Sequence, residues 1–371
     1  MNDKLPSEIM DSLKTMGFIN NGEVVDCQPL TGGVASDIWR IDIYPAAGRD
    51  YEVKSKQHQT LCIKRALSQL KVEQTWEVST DRNAYEVRWF QTVAEIFLDG
   101  VASDNVVANA VVANDMASNA VVPRILAHDK TRGVFAMDFL PPENYPVWKN
   151  QLRDGVVDVL TAQQVASNLG KIHQRSALPS QRPELIKQFD TLHLFYQIRI
   201  EPYFLATAKK HPDLKGKINN LANTLATTQT ALVHGDISPK NILVGKDGPI
   251  FLDAECAVYG DPAFDIAFLL NHLLLKSIWR PLLIDQLLNS FRVSYVAYLA
   301  NVDWEDTSIF EERACAFLGV FLLARIDGKS PVEYITEDKD KTFVRRIGRT
   351  ILEKKLLTFS QISDLWKQEL A

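Results

Sequence analysis

The sequence has few features of a secreted, membrane-spanning or nucleic-acid-binding protein. Its four cysteines are scattered, with neither a C-x-x-C pair nor metal-ligand spacing, which favours reduced thiols in a hydrophobic core. The longest apolar runs, around 266–275 and 314–324, have about half the length that spans a bilayer, and the N-terminal segment lacks the apolar core of a signal peptide. The net charge of −5 indicates no basic surface for nucleic acid. We therefore expect a soluble, cytoplasmic protein that binds neither membranes nor nucleic acid.

One segment, LVHGDISPKNILVGKDGPIFLDAE, places ligand-type side chains beside two short apolar runs. The runs 242–244 and 250–252 are rich in β-branched and aromatic residues and flank the turn signal GKDG, which predicts a β-hairpin. Folding the hairpin about its midpoint returns Asn241 and Asp253 to the same end. The segment therefore predicts a polar cluster at one end of a hairpin.

Oxygen ligands dominate that cluster. Asp236 precedes Asn241 by five residues, within reach of a loop, and Glu255 would point to the same side as Asp253 in an extended chain. Carboxylates this close repel one another unless a cation offsets their charge. Hard oxygen ligands suit Mg²⁺. We predict a magnesium site formed by Asn241, Asp253 and Glu255, close to Asp236.

The order H-x-D-x-x-x-x-N, followed by an Asp after a hairpin, is the phosphoryl-transfer arrangement of protein-kinase-like enzymes. The strings HGDISPKN, with Gly where protein kinases have Arg, and LDAECAVYGDPAFDIA resemble the aminoglycoside phosphotransferase/choline kinase superfamily. The D-x-E form of the second string is similar to that of methylthioribose kinases. The resemblance covers about residues 25–275.

The resemblance implies an α+β, protein-kinase-like fold with two lobes. It implies a β-rich nucleotide-binding N-lobe with one main helix at 1–137, a hinge at 138–146 and a mainly helical C-lobe at 147–371. Within the C-lobe, Asp236 would accept or orient the proton of the attacking hydroxyl. Asn241 and Asp253 would hold Mg²⁺ against the phosphates of ATP, and Glu255 would be a second-metal or outer ligand.

Other residues are assigned by the same resemblance. His234 would brace the catalytic loop rather than act as the base. His173, on a helix that we predict at 160–177 with a Thr cap, would pack beneath that loop. Asp261 and Asp265 are explained as structural residues of a helix start, because Pro262 suits the first helical position and acids suit the first turn.

The nucleotide-binding residues are predicted from three further segments. Gly32 and Gly33 precede a strand in which Trp39, Ile41 and Ile43 alternate with polar residues, so their loop either covers phosphates or is a plain hairpin turn. The resemblance makes Lys64, in a strand at 60–65, the ligand of the α- and β-phosphates, with Glu86 as its ion-pair partner. Two alternatives are open: a solvated strand lysine, and a capping box formed by Asn83 and Glu86. The predicted adenine-binding hinge comprises Met137, Asp138, Phe139 and Leu140.

Two segments lie outside these motifs. Residues 101–122 (VASDN VVANA VVAND MASNA VV) form five-residue units that match no familiar repeat, and we interpret them as an insertion. The segment ARIDGKSPVEYI has either a charged turn that caps a helix starting at Ser330, or cations, Arg325 and Lys329, that contact the substrate.

Together these features predict an ATP- and Mg²⁺-dependent kinase that phosphorylates a hydroxyl of a small metabolite or antibiotic. A non-catalytic, nucleotide-binding pseudokinase is the alternative, although it predicts a missing catalytic residue and none is missing. A protein kinase is disfavoured because no A-P-E-like segment follows Asp253. The acceptor stays open among choline, ethanolamine, methylthioribose, amino sugars and aminoglycosides. The cationic segment around Arg325 mildly favours a less basic acceptor.

Overall fold

The computed structural model of the chain divides into two compact units, Met1–Pro142 and Glu143–Ala371. This division falls within the range predicted as the hinge. The residues that the structure describes are 5–20, 23–30, 36–44, 58–67, 80–102 and 120–370.

The first unit contains a five-stranded sheet in the order β1-β2-β3-β5-β4, with every neighbouring pair antiparallel. Its elements are α1 (Ser7–Thr15), β1 (Val24–Leu30), β2 (Ser36–Tyr44), β3 (Gln59–Ala66), α2 (Arg82–Ala102), β4 (Ile125–Asp129) and β5 (Val134–Asp138). The predicted alternation along β2 is confirmed, because Trp39, Ile41 and Ile43 are buried while the residues between them are less so. The core of this unit forms where Ile9 and Leu13 of α1 pack with these strands.

The second unit is mainly helical, with two short antiparallel strand pairs, β6–β9 and β7–β8. Its first elements are α3 (Trp148–Arg153), α4 (Val159–Ser176), α5 (Arg182–Gln188), α6 (Leu192–Phe195), a π-helix (Tyr196–Leu205), α7 (Ala206–Lys210) and α8 (Lys215–Thr227). Next come β6 (Ala231–Val233), a 3₁₀ turn (Pro239–Asn241), β7 (Ile242–Gly245), β8 (Gly248–Phe251) and β9 (Val258–Gly260). The last are α9 (Ala263–Trp279), a 3₁₀ turn (Pro281–Leu283), α10 (Ile284–Leu299), α11 (Thr307–Asp327), α12 (Asp338–Lys354) and α13 (Phe359–Leu370). The predicted α+β fold class is confirmed, with the strands concentrated in the first unit and the helices in the second.

Two predicted helix starts are wrong. The N-cap of α4 is Asp158, whose carboxylate accepts hydrogen bonds from the backbone N–H groups of Leu160 and Thr161, and Thr161 lies inside the helix. No helix begins at Ser330, because residues 328–337 form an irregular connection between α11 and α12. An acid three residues upstream of a Thr is as good a cap as the Thr itself, and local sequence does not choose between them.

The apolar runs noted in the sequence belong to helices of the second unit. Within the described ranges, no single helix combines the length and apolar content needed to span a membrane. Only α9 and the segment Pro281–Leu299 pass that test together, and they are bent by 119° at the break between them. The cysteines are all free thiols, and three of them are buried as the sequence predicts: Cys62, Cys256 and Cys315.

Candidate active site

The predicted β-hairpin is present, with Ile242 paired to Phe251 and Gly245 paired to Gly248. The N–H of Leu252 donates to the carbonyl of Asn241 at 2.9 Å, so the pairing extends to the residues before and after the strands. The amide nitrogen of Asn241 donates to the backbone carbonyl of Asp236 at 3.0 Å. These bonds hold Asn241 between the hairpin and the loop that carries Asp236.

The geometry behind the prediction for Glu255 is wrong. Asp253 has a φ of 65°, in the left-handed region, and Ala257 N–H bonds to the carbonyl of Ala254, so the chain turns here instead of continuing as a strand. Asp253 and Glu255 therefore do not share a side through strand alternation. Positive φ at a non-glycine residue is uncommon and often marks a functional position. The role of Glu255 as a ligand stays a prediction.

Asp236 is a buried carboxylate that contacts two cations. Its Oδ2 lies 3.2 Å from Arg199 Nη2 and 3.1 Å from Lys240 Nζ. Although burial opposes ionisation, the charges of Lys240 and Arg199 lower the pKa of Asp236 below its ordinary value. Within the described ranges no hydrogen bond reaches Oδ1. Asp236 is thus an ionised carboxylate with one oxygen anchored and the other available to a ligand.

Arg199 is the site residue that sequence reasoning missed. It lies in the π-helix, which contains Pro202, and it directly follows Ile198, whose backbone carbonyl is within its reach. Arg199 Nη1 donates to that carbonyl at 2.7 Å, while its Nε donates to the carbonyl of Gly235. Although burial opposes its charge, nearby groups that include Asp236 and Glu255 raise the pKa of Arg199 above its ordinary value. The only signal in the sequence was a proline inside an apolar, helix-like segment, since Arg199 itself belongs to no motif.

His234 braces the loop, as the resemblance implies. Its Nδ1 accepts from the N–H of Asp236 at 3.1 Å, so its Nε2 carries the proton and lies 3.0 Å from the carbonyl of Leu252. Burial lowers the pKa of His234, which favours this neutral form. A neutral imidazole with both nitrogens engaged by the backbone is not available as a general base.

Asp265 anchors the other side of the loop. It accepts hydrogen bonds from the backbone N–H groups of His234, at 2.7 Å, and Gly235, at 2.9 Å. His173 Nε2 lies 3.2 Å from the same carboxylate, and both side chains are fully buried. Gly235 has a φ of +81°, and a Cβ there would lie 2.7 Å from the carbonyl oxygen of Cys256. Asp265 therefore has a positioning role beyond its favourable place in the first turn of α9.

Asp261 has the structural role expected of it. Its carboxylate accepts from the N–H of Ala263, the first residue of α9, at 3.0 Å, and pairs with Arg313 at 2.7 Å.

The first unit contains the predicted Lys64–Glu86 contact. Lys64 Nζ lies 2.8 Å from Glu86 Oε1 and 2.7 Å from Oε2, and both side chains are buried. The helix begins at Arg82, so Asn83 lies within it and the capping-box alternative is wrong. The assignment of Lys64 to the nucleotide phosphates stays a prediction.

Only some of the other predicted nucleotide-binding residues fall within the described part of the chain. Gly32 and Gly33 lie outside the described residues, as do residues 103–119 of the insertion. In the predicted hinge, Met137 and Asp138 end β5, and the Asp138 N–H donates to the carbonyl of Arg124 at 3.0 Å. That N–H is therefore already used within the sheet.

The two cations of the ARIDGK segment have different environments. Arg325 Nη1 donates to the carbonyl of Ser330 at 2.6 Å and to the hydroxyl of Tyr203 at 3.1 Å. Lys329 is half exposed, and its Nζ lies 2.8 Å from Glu201 Oε2. These contacts make Lys329 a surface residue and leave Arg325 as the better candidate for a ligand contact.

The donor set at the hairpin end fits a small, hard cation in part. Asn241 uses its amide nitrogen on Asp236, which leaves its Oδ1 as the ligand atom, and Asp253 adds a carboxylate. The charge of Asp253, with that of Asp236, holds the pKa of Lys240 above its ordinary value, so the three charged groups act on one another. Within the described ranges, however, no three His, Cys, Asp or Glu side chains form a group that could hold a metal ion. The assignment of Asn241, Asp253 and Glu255 as metal ligands therefore stays a prediction, and Asn241 and Asp253 fit a cation that has further ligands on a phosphate.

Comparison with known proteins agrees with the motifs. Residues 73–304, more than half of the chain, match the model of the phosphotransferase enzyme family (APH). Methylthioribose kinase from Escherichia coli O45:K1 (strain S88 / ExPEC) is 22% identical over 311 residues, which cover 76% of this chain and 68% of that enzyme.

Solved structures give lower similarity. An ethanolamine kinase of Plasmodium vivax is 12% identical with a TM-score of 0.48, over 90% of this chain and 84% of that one. An aminoglycoside phosphotransferase from Alicyclobacillus acidocaldarius subsp. acidocaldarius DSM 446 is 11% identical with a TM-score of 0.48, over 100% and 97%. On the strength of the family match, the chain belongs to the phosphotransferase enzyme family, and the prediction that it is a kinase is confirmed.

Proposed function

We propose that this kinase transfers the γ-phosphate of ATP to a hydroxyl group of a small molecule, with Asp236 as the general base. The observation that carries the proposal is the ionised Asp236 carboxylate, whose Oδ2 is anchored by Arg199 and Lys240 and whose Oδ1 is available. A base at this point takes the proton that the acceptor hydroxyl loses on attack.

The surrounding residues support that role by position and charge. His234 and Asp265 hold the backbone of the loop, so Asp236 meets the acceptor in one orientation. Lys240 and Arg199 keep Asp236 ionised, and the half-exposed Lys240 is also placed to offset phosphate charge. Phosphoryl transfer requires mainly such positioning and neutralisation of charge.

Residues of the first unit are assigned to the nucleotide, and residues of the second unit are assigned to the metal. In the first unit, Lys64, kept in place by Glu86, would bind the α- and β-phosphates, and Gly32 and Gly33 are assigned to phosphates from the sequence alone. In the second unit, Asn241 and Asp253 would hold Mg²⁺, which supplies charge neutralisation at phosphates when it is bound. The adenine contacts the segment Met137–Leu140 through groups other than the Asp138 N–H.

The test is consumption of Mg²⁺-ATP in the presence of hydroxyl acceptors: choline, ethanolamine, methylthioribose, amino sugars, aminoglycosides and hydroxy acids. The Asp236→Asn variant is assayed beside the intact protein. Asp247→Asn, in the exposed turn of the same hairpin, is the matched control because it removes an acid that contacts neither Asn241 nor Asp236. We expect acceptor-stimulated turnover in the intact protein and the control and its loss in Asp236→Asn.

Binding of the nucleotide is measured separately as thermal stabilisation by Mg²⁺-ATP. Absence of both stabilisation and turnover would contradict the proposal. Stabilisation without turnover for any acceptor would retain nucleotide binding and direct the search to other hydroxyl compounds.

A further inference from the structure

Helix α9 buries polar side chains that the proposed chemistry does not use. Asn271, His272 and Lys276 lie within this mostly apolar helix and are at most 7% exposed. Both amide atoms of Asn271 and the Nε2 of His272 are buried without a hydrogen-bond partner within the described part of the chain. Buried polar atoms usually have partners, and unsatisfied ones often mark the place of a ligand or water.

Lys276 is the most unusual of these residues. It is 2% exposed, yet the described residues provide its ammonium group with neither a hydrogen bond nor a carboxylate within ion-pair distance. Its Nζ instead lies 4.6 Å from the ring centroid of Trp279 and 4.5 Å from that of Tyr334, and these two rings are stacked. Ring faces attract a cation but do not neutralise its charge. The two faces are thus already occupied by a cation of the protein itself.

A second cation, Arg325, lies near the end of α11, where the connection between α11 and α12 contacts it. Val332 N–H donates to the carbonyl of Arg325, so the chain folds back over the end of α11 and carries Tyr334 to Lys276. Arg325 contacts only neutral groups within the described ranges, and its Nε is buried without a partner. The Tyr334 hydroxyl is likewise buried without a partner. The charge of Glu333 acts on both cations, but its carboxylate is paired with Lys149. Within the described ranges, the two cations and the hydroxyl donor therefore have no anionic acceptor in direct contact.

Several positive charges act together on the pKa of His272. Burial, and then the charges of Arg325, Lys276, Lys240 and Lys149, hold the pKa of His272 well below its ordinary value. Lys149 is paired with Glu333 at 2.6 Å. Lys240 contacts the catalytic Asp236, which ties this region to the proposed chemistry.

We propose that Lys276 and Arg325, with the Tyr334 hydroxyl and the imidazole of His272, bind an anionic group of the phosphate acceptor. The acceptor is then a small hydroxy compound that carries a carboxylate or a phosphate, and not a quaternary ammonium or polyamine. This inference rests on the proposed function, because it assigns the substrate class of the same site. An anion supplies the hydrogen-bond acceptors that these donors lack, and charge-assisted bonds of this kind are the strong ones.

The first test compares four small hydroxy compounds that differ in charge: glycerol, choline, D-glycerate and sn-glycerol 3-phosphate. Each is titrated at constant ionic strength into the full-length protein loaded with Mg²⁺-AMP-PNP, and the melting temperature is measured. We expect glycerate or glycerol 3-phosphate to raise the melting temperature and glycerol and choline to leave it unchanged. The two anionic compounds distinguish a carboxylate site from a phosphate site.

Three variants assign the effect to residues. Lys276→Met and Arg325→Met are expected to weaken the apparent affinity for the anionic compound about 10- to 100-fold, the effect of one lost charge-assisted bond. Lys276→Arg keeps the charge and should retain most of the affinity. Lys367→Met, which removes an exposed lysine paired with Asp285 on another surface, is the control and should behave like the unmodified protein. Circular dichroism of each variant verifies folding.

The outcomes are decisive. The proposal is overturned if neither anionic compound stabilises the protein, if choline or glycerol does so equally, or if both Met variants respond like the unmodified protein. If Mg²⁺-AMP-PNP itself fails to stabilise the protein, the proposed function is at fault. The four compounds are then compared on the nucleotide-free protein, and that comparison decides the anion site independently.

Discussion

Each of the two units buries a lysine, and the two lysines differ in whether a carboxylate balances their charge. In the first unit, Lys64 on β3 is 3% exposed and pairs with the buried Glu86 of α2. In the second, Lys276 on α9 is 2% exposed and has two aromatic rings, but no carboxylate in ion-pair contact within the described ranges. Burial lowers the pKa of Lys276 to about 7, and the charges of Lys149 and Arg325 contribute.

The protein itself balances the charge of Lys64, whereas it does not balance the charge of Lys276. Lys64 and Glu86 satisfy each other, so their geometry is set before any ligand arrives. Lys276 either loses its proton or gains an anion from outside the chain, since a buried, unpaired ammonium group is costly. Asp236 resembles Lys64 in this respect, because Arg199 and Lys240 balance its charge. Each of the following substitutions removes a charged group, and the effects are ordered from the largest to the smallest.

The largest effect is expected for Asp236→Asn, which leaves Arg199 and Lys240 without their shared carboxylate. General-base catalysis contributes roughly 10²- to 10⁴-fold, so turnover with the acceptor should fall by about that factor. Stabilisation by Mg²⁺-ATP should persist, because Asp236 is not assigned to the nucleotide. Steady-state kinetics and thermal melts measure the two quantities. Turnover within a few-fold of the unmodified protein would remove Asp236 from the role of base.

The next effect is on stability and concerns Glu86→Gln. The change leaves Lys64 buried without its carboxylate, and breaking a buried pair costs about 3–5 kcal/mol of unfolding free energy. The double variant Lys64→Met/Glu86→Gln removes both charges and should recover much of that loss. Urea denaturation of Glu86→Gln, Lys64→Met and the double variant gives the coupling energy. Equal losses for the single and double variants would show that the two side chains are not balanced by each other.

The third prediction concerns the pH dependence caused by Lys276. Its pKa is lowered from 10.5 to about 7, so between these values the unfolded chain binds the extra proton and the folded protein does not. Stability therefore rises with pH across this window, and below pH 7 the full cost of the buried charge is present. Lys276→Met removes that cost, which amounts to roughly 5 kcal/mol at most.

The measurement is the unfolding free energy of Lys276→Met and of the unmodified protein at several pH values from 6 to 9.5. The advantage of the variant should be largest near pH 6 and should narrow as the pH rises. A difference that is constant with pH would mean that Lys276 keeps its proton in the folded protein throughout this range, as it does in the unfolded chain.

The smallest effect is expected for an exposed lysine. Lys329 pairs with Glu201 at 2.8 Å, but its side chain is 50% exposed. Exposed ion pairs contribute about 0–1 kcal/mol, so Lys329→Met should change the unfolding free energy by less than about 1 kcal/mol. A loss comparable to that of Glu86→Gln would show that exposure does not distinguish these lysines. The same denaturation series provides the number.

The active-site hairpin was predictable because its signals are local. Strand residues, a turn and polar flanks within some twenty positions determine which residues meet at its ends, and the pairing of Ile242 with Phe251 follows. The prediction for Glu255 failed for an equally local reason, because it assumed an extended backbone at Asp253, whose φ is positive. The cap of α4 was misplaced by three residues because Asp158 and Thr161 are both good caps.

Contacts between distant segments divide into two kinds. The pairing of Lys64 with Glu86 was predicted only through the resemblance, because nothing in strand β3 or helix α2 alone identifies a partner. Arg199 was missed altogether: it reaches Asp236 from a π-helix 37 residues upstream, and no motif contains it. The buried polar side chains of α9 were also missed, since the helix reads as an apolar run.

The sequence by itself determined the α+β class, the hairpin, the positions of Asp236 and Asn241 beside it and the membership of the phosphotransferase family. Each depends on residues close together along the chain, or on motifs with a fixed spacing. Tertiary structure alone decided that Arg199 anchors Asp236, that Lys329 lies on the surface, and that Lys276 is buried beside two stacked rings without a carboxylate in contact. The physical reason is that the groups packed around a charge decide whether it is balanced. Those groups come from segments far apart in the sequence, and neither segment alone indicates that they will be in contact.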